Sequence, residues 1–390
     1  MNAEQVLKVG VAGLGDAGSQ VVEAVPGLPG FELAAVADSR KDAVAAHKER
    51  YGTQGFATVE EMCASKAVDV VYVATPNKCH VGHALAAIEN GKHVIVVKPL
   101  ALTLDDSDRS IAAAAKANVK LVYGHSRIYD PPVKKIAEIV RSGELGRVIQ
   151  INTWMYGGWL QRKPRLASEL STDSGGGVVY RQAPHQADII RCIGGGMARS
   201  VRAITGRWDA NFKQTEGNYT AFVELEDRTP VTMVMNGYGY FSTSELTHGM
   251  TRTSISSSEE RYTAAVDEAT KYQPAARRDY FFGSPEGKGQ PFYGFTIVSC
   301  ERGDLRQSPT GLYVYTAAGR KEISCPVYPG KGRASVTGAL LSLHEAITGR
   351  RLIYPDGRWA KATLEVCLAI LKSDQEKREV RLAHQVASPW

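Results

Sequence analysis

Val9-Gly10-Val11-Ala12-Gly13-Leu14-Gly15-Asp16-Ala17-Gly18 is the stretch that decides the fold. A β-branched run ends in a GxGxxG spacing, and a helical pattern starts at Asp16. The first glycine of such a turn permits the tight bend, and the second lets a pyrophosphate approach the backbone. The third allows close packing of helix on strand, and the first amides of the helix face the phosphates. Gly13, Leu14, Gly15, Asp16, Ala17 and Gly18 are therefore expected to contact a dinucleotide. Asp38 follows 20 residues after Gly18. A carboxylate there accepts hydrogen bonds from the adenosine ribose hydroxyls and repels a 2′-phosphate, which favours NAD over NADP. Two features keep the alternatives open: Asp38 also suits a helix N-cap, and Arg40, beyond Ser39, suits a 2′-phosphate.

The alternation spreads outward from this turn. Val6–Ala12, Phe31–Ala37, Val68–Ala74, His93–Val97 and Lys120–Tyr123 read as strands. Asp16–Val25, Arg40–Tyr51, Thr58–Ser65, Cys79–Asn90 and Leu104–Asn118 read as helices. Strand and helix in turn imply a parallel sheet covered on both faces, an α/β doubly wound domain over residues 1–126. Pro131–Pro132 marks a boundary, with a helix over Val133–Ser142. Beyond it the strand-like runs are Arg147–Trp154, Val201–Arg207, Gly217–Leu225, Pro230–Gly237, Phe292–Cys300, Gly311–Thr316 and Lys321–Ser324, with a helix over Gly175–Ile193. Residues 127–390 are thus expected to form an α+β domain with a large, mainly antiparallel open sheet. The helices Ser335–Thr348 and Arg358–Lys372 are expected to return towards the first domain. Residues 253–290 are polar and poorly patterned, consistent with a loop, a lid or a subunit contact.

Composition narrows the class. The 390 residues are 43% hydrophobic and 23% charged, a soluble globular balance with no apolar run of membrane-spanning length. The start lacks the pattern of a signal peptide, and a cytoplasmic location is expected. The six cysteines form no CxxC pair, and no HExxH-type spacing occurs, so neither a disulfide framework nor a metal is expected. A net charge of +6 with scattered bases argues against nucleic acid and suits a small anionic substrate.

Further motifs lie in order along the chain. Ala74-Thr75-Pro76-Asn77-Lys78-Cys79-His80 comes at the end of the strand-like run Val68–Ala74, and Val97-Lys98-Pro99 at the end of the next strand. Gly175-Gly176-Gly177 precedes a helix bearing His185 and Asp188. This order resembles the Gfo/Idh/MocA oxidoreductases over nearly the whole chain. Within them it resembles a narrower group, the phthalate 4,5-cis-dihydrodiol dehydrogenases. The stretches that carry this are Gly175–Gln182 with His185-Gln186, Val298–Arg306, and Arg358-Trp359-Ala360 leading to Leu364–Leu371.

The resemblance implies that Thr75, Pro76, Asn77, His80, Lys98, Pro99 and His125 border the cofactor. Lys98 would be the general base, with His185 as hydrogen-bond partner or proton relay. It also implies a homodimer or homotetramer through the open sheet. Two departures bear on chemistry. Where many relatives read Glu-Lys-Pro, Val97 precedes Lys98; loss of the carboxylate and added desolvation would both lower the lysine pKa. Where sugar-acting relatives carry Asp, this chain has Arg181, whose guanidinium matches a carboxylate. Arg181 would then bind a dicarboxylate substrate, or else pair structurally with Asp188 or Asp173. Four residues apart on one helix, Arg181 and His185 would share a face. Tyr156, Trp159, Arg162 and Arg165, with Trp154, suit a pocket for a planar dianion and equally suit a core or an interface. The implied reaction is NAD-dependent oxidation of phthalate 4,5-cis-dihydrodiol. The rivals are a sugar or inositol oxidoreductase of the same family and a non-catalytic NAD(H)-binding regulator.

Overall fold

The computed structural model describes residues 6–160, 167–208, 214–239, 241–247, 290, 293–326 and 334–389. The chain divides into two compact units. The first is Met1–Ser126 with Tyr328–Leu364, and the second is Arg127–Val327 with Glu365–Trp390. The second unit is therefore interrupted rather than one continuous stretch from 127 onward.

The first unit is built on six parallel strands: β1 Leu7–Ala12, β2 Phe31–Ala37, β3 Gln54–Phe56, β4 Val70–Val73, β5 His93–Val97 and β6 Leu121–Gly124. Their order is β3-β2-β1-β4-β5-β6, every pair parallel. Valines on successive positions of β4 and β5 are fully buried, so both faces of the sheet are covered. The helices α1 Asp16–Ala24, α2 Lys41–Tyr51, α3 Val59–Ala64, α4 His80–Glu89 and α5 Leu104–Lys116 supply the cover. Thr58 and Glu61 close α3 with a reciprocal capping box. Strand order reverses between β1 and β4, the position where open sheets of this kind bind ligands. β3 went unread in the sequence because it has three residues, too few to show a period.

The chain returns to this unit late. Helix α9, Ala334–Ile347, packs on α1 and β6. The Tyr123 amide donates to the Pro355 carbonyl at 3.0 Å, and Lys361 pairs with Asp108 at 2.6 Å.

The second unit contains helices α6 Pro131–Ser142, α7 Gly177–Arg181 and α8 Ala183–Ile193. Its strands are β7 Val148–Tyr156, β8 Ala198–Gly206, β9 Asn218–Leu225, β10 Pro230–Asn236, β11 Phe295–Cys300, β12 Gly303–Gln307, β13 Gly311–Thr316, β14 Gly319–Ser324 and β15 Val380–Arg381. They form one sheet in the order β14-β13-β12-β11-β7-β10-β9-β8-β15. All neighbours are antiparallel except β7 and β10, which are parallel. Burial alternates along β9 and β10, as a half-covered sheet requires. Helices α6, α7 and α8 cover one face, while Ile149, Phe222 and Ile204 stay exposed on strands of the same sheet.

Two sequence expectations change here. Pro131–Pro132 opens α6 instead of preceding it: prolines fit the first turn, where no amide needs an acceptor. The expected helix over Gly175–Ile193 is two helices broken at Gln182, whose φ of −122° leaves the helical region. Pro184 has no N–H to continue the ladder, so the helix must restart. Arg181 and His185 consequently lie on different helices, and the shared-face argument fails.

Gln186 ties α8 to the sheet. Its side-chain amide lies 3.0 Å from the Thr153 carbonyl and 3.1 Å from that of Val234. Its oxygen accepts the Tyr219 hydroxyl, and Gln186, Thr153 and Tyr219 are all buried. Gln186→Leu strands these partners without replacements. It should cost about 2–4 kcal/mol of stability in chemical denaturation; a loss below about 0.5 kcal/mol would show that the network does not hold the helix.

Candidate functional site

In the first unit the glycine turn lies against the ends of β1, β2 and β4. The Gly13 amide donates to the Ala37 carbonyl at 2.8 Å. Gly13 has φ +89°, and a Cβ there would stand 2.7 Å from the Ala74 carbonyl oxygen. A Cβ on Gly18 would collide with the Gly13 carbonyl. Gly15 is the N-cap of α1, and no side chain caps the helix. The site is thus a close backbone cradle at an uncapped helix start, the form that fits a pyrophosphate.

The Asp38 carboxylate accepts the Leu14 amide at 2.7 Å and the Arg40 amide at 2.9 Å. It also accepts Nε and Nη2 of Arg40, each at 3.0 Å. The N-cap of α2 is Arg40, so Asp38 does not cap that helix. Burial alone would raise the Asp38 pKa, but the hydrogen bonds from Arg40 and Leu14 outweigh it and hold the carboxyl below its ordinary range. Any hydroxyl brought to this carboxylate would share or displace the Arg40 contact. Ser39, between them, is exposed.

His80 is fully buried and joins two loops: Nδ1 lies 2.7 Å from the Pro99 carbonyl, Nε2 2.8 Å from that of Thr75. It thereby fixes the Thr75-Pro76-Asn77 segment relative to Lys98-Pro99. The Thr75 hydroxyl lies 2.9 Å from His83. Lys98 is half-buried and follows Val97, which is buried. His125, at φ +62°, lies 3.3 Å from Gln20 on α1.

The second unit gathers a different set. His185 is buried on α8, with its ring 4.6 Å from that of Tyr293. The Tyr293 hydroxyl donates to Gln182 at 2.8 Å. The Arg127 guanidinium lies over the same tyrosine, 5.3 Å from its centroid, and pairs with Asp130 at 3.0 Å. Tyr293, Asp130 and Gln182 escaped the sequence reading. Tyr293 belongs to no motif and lies far along the chain from His185, and only the fold brings them together.

Arg181 is 2.7 Å from Glu169, a carboxylate only 2% exposed. Asp188 is buried on α8. The buried Glu216 carboxylate accepts the Val179 amide at 2.9 Å and the Thr172 hydroxyl at 2.6 Å, which supports the start of α7. Trp159 is buried, Tyr156 meets Phe241 edge-on at 6.0 Å, and Trp154 stacks on Phe295 at 6.0 Å. Arg162 and Arg165 lie outside the described residues, as does 253–290 apart from Gln290. Among the described residues no group of three or more His, Cys, Asp or Glu is placed to hold a metal, and no helix is long and apolar enough to cross a membrane.

Comparison with known proteins gives a consistent picture. The profile of an oxidoreductase family with an NAD-binding Rossmann fold, GFO/IDH/MocA, matches residues 7–125. That of the GFO/IDH/MocA C-terminal domain matches residues 133–256. The 1-carboxy-3-chloro-3,4-dihydroxycyclohexa-1,5-diene dehydrogenase of Comamonas testosteroni is 32% identical over 383 residues, 94% of each chain. A crystal structure from Bordetella bronchiseptica RB50, described as a dehydrogenase, superposes with a TM-score of 0.87 at 37% identity, covering 96% of this chain and 100% of that one. An Agrobacterium radiobacter oxidoreductase in complex with NAD+, L-tartaric acid and magnesium shares the fold, with a TM-score of 0.71 at 16% identity over 97% of this chain and 98% of that one. The cofactor is NAD, and the cradle of the first unit fits it.

Asp38→Ala removes the carboxylate that holds the Leu14 amide and leaves Arg40 without its ion-pair partner. The ratio of kcat/KM for NAD to that for NADP should fall on the order of 10-fold or more, since the change loses one good hydrogen bond and gains a cation. An unchanged ratio would separate Asp38 from cofactor choice. A second consequence concerns acid. The folded pKa of Asp38 lies below the unfolded value of about 3.9, so its stabilising contribution is complete above that pH and is lost as pH falls through the folded value. Asp38→Asn should therefore lower thermal stability at neutral pH and converge with wild type on acidification. A difference that persists undiminished below about pH 3 would contradict this.

Proposed function

The chain belongs to the Gfo/Idh/MocA oxidoreductase family, and on that premise we propose that it oxidises a carboxylated cis-dihydrodiol, with phthalate 4,5-cis-dihydrodiol as substrate and 4,5-dihydroxyphthalate as product. The observation that carries this reading is the likeness over 94% of both chains to a dehydrogenase whose own substrate is a carboxylated dihydroxycyclohexadiene. NAD, when bound, supplies the acceptor for the hydride that leaves the hydroxyl-bearing carbon. The work of the chain's residues is binding and proton transfer. Lys98 takes the hydroxyl proton as that carbon becomes a ketone. His185 hydrogen-bonds the second hydroxyl or relays its proton. The ketone then tautomerises to the catechol, and aromatisation draws the reaction forward.

Arginines serve the carboxylates: Arg162 and Arg165 belong to this proposal with Arg181, and Tyr156 and Trp159 supply ring surface. The Arg181 charge is partly met by Glu169, so any contact it makes with substrate is shared. The exposed apolar side chains of the second sheet suit a homodimer or homotetramer. The same reading locates the reaction in the cytoplasm, with no nucleic acid or membrane partner. The sugar or inositol reading finds support in a Thermotoga maritima myo-inositol 2-dehydrogenase, 33% identical over 36% of this chain.

The protein mixed with NAD and the phthalate dihydrodiol should produce NADH. Turnover of inositols or glucose but not of the diol would assign it to the sugar branch. Tight NADH binding with no turnover of any diol would make it a regulator. Lys98→Ala should lower kcat by about 10²–10⁴-fold with NAD affinity kept; a rate within a few-fold of wild type would remove Lys98 as the base.

A further inference from the structure

Arg127 holds a charge that its surroundings satisfy on one side only. It stands in a 3-10 turn, Arg127–Tyr129, that packs against α6 and α8, the latter carrying His185. Its side chain is 2% exposed. Nη1 donates to Asp130 at 3.0 Å. Nε and Nη2 are buried and have no hydrogen-bond acceptor. A guanidinium presents its N–H groups in a planar fork, and the Nε–Nη2 edge offers two parallel donors spaced for the two oxygens of a carboxylate. Buried donors of this kind are nearly always matched, so a bare charged edge calls for an explanation beyond packing.

The neighbours define what would fit. The Tyr293 ring lies over the guanidinium and also packs against His185. A flat, apolar wall therefore joins the cationic edge to the histidine. Asp130 fixes one end of the fork and leaves the other aimed away from it. Arg181, by contrast, faces a buried carboxylate already.

We propose that the Nε–Nη2 edge of Arg127 is a carboxylate-binding subsite that fixes which end of the substrate ring faces His185. This rests on the reading of the substrate as an anionic dihydrodiol and names the residue that recognises the anion. Because both nitrogens are shut from water, a carboxylate reaching them exchanges its hydration for two charge-assisted hydrogen bonds. A neutral analogue leaves the edge bare, which is the arrangement that discriminates most strongly.

The test uses phthalate as an unreactive dianion and dimethyl phthalate as its neutral counterpart, each titrated calorimetrically into the full-length protein with NADH present. Wild type should bind phthalate and discriminate against the diester. Arg127→Lys keeps the charge but loses the fork, and should weaken phthalate binding on the order of 10- to 100-fold while NADH affinity stays the same. Arg127→Gln combined with Asp130→Asn removes both charges together and should act alike, which covers a failure of the single variant to fold. Phthalate affinity within twofold of wild type in either folded variant would overturn the subsite, as would a wild type that does not prefer phthalate to its diester. The two levels separate cleanly. Arg127-dependent phthalate binding without turnover of the dihydrodiol sinks the reaction and keeps the subsite. Turnover with a KM indifferent to Arg127 does the reverse.

Discussion

A parallel sheet buried on both faces leaves only the ends of its strands available for chemistry. Helices must cover the valines of β4 and β5 on either side, because neither face can meet water without a large loss of apolar burial. Ligand-facing residues are then confined to the loops that leave the strands at one end. Gly13 follows β1, Asp38 follows β2, Thr75 comes just after β4, Lys98 follows β5 and His125 follows β6. Five loops far apart in sequence share one rim because the strands are parallel. His80 adds a cross-tie within that rim, holding the carbonyls of Thr75 and Pro99 on one ring.

The second unit solves a different problem. Its sheet is covered by helices on one face, and α8, buried along its whole length, is tied to that sheet by specific anchors. Gln186 provides one and Glu216 secures the preceding turn. Between them Pro184 interrupts the helical ladder, so the segment bends at Gln182. That bend turns Arg181 towards Glu169 and lets Gln182 receive the Tyr293 hydroxyl. A helix break that weakens local hydrogen bonding thus separates an ion-paired arginine from the histidine cluster.

What the sequence disclosed follows from how local each signal is. β2 and β5 have the same bounds in the structure as in the periodicity, because each is a short apolar run bounded by breakers. The glycine turn and its following helix were equally plain. β12 was not, since Gly303-Asp304-Leu305-Arg306-Gln307 has a single apolar residue and exists as a strand through its neighbours β11 and β13. The break at Gln182 was foreshadowed by Pro184 but obscured by an otherwise continuous apolar pattern. Ion-pair partners were the least legible: Glu169 precedes Arg181 across a triple-glycine turn, and nothing in spacing distinguishes it from Asp173. The Arg127–Tyr293 contact is wholly a product of tertiary folding.

The late return of the chain to the first unit bears on the order in which the protein is made. Synthesis delivers residues 7–124 first, and with them all six parallel strands. Yet the surface of α1 and β6 that α9 covers, the Tyr123 amide that Pro355 accepts and the aspartate that Lys361 meets must wait until residues 127–327 of the second unit have been translated. A ribosome adds about 5–20 residues per second, so the nascent sheet spends on the order of ten seconds or more with that flank uncovered. The first unit is thus a fold that begins early and closes late, and the cofactor rim it carries is assembled on a scaffold completed only when most of the chain has been made.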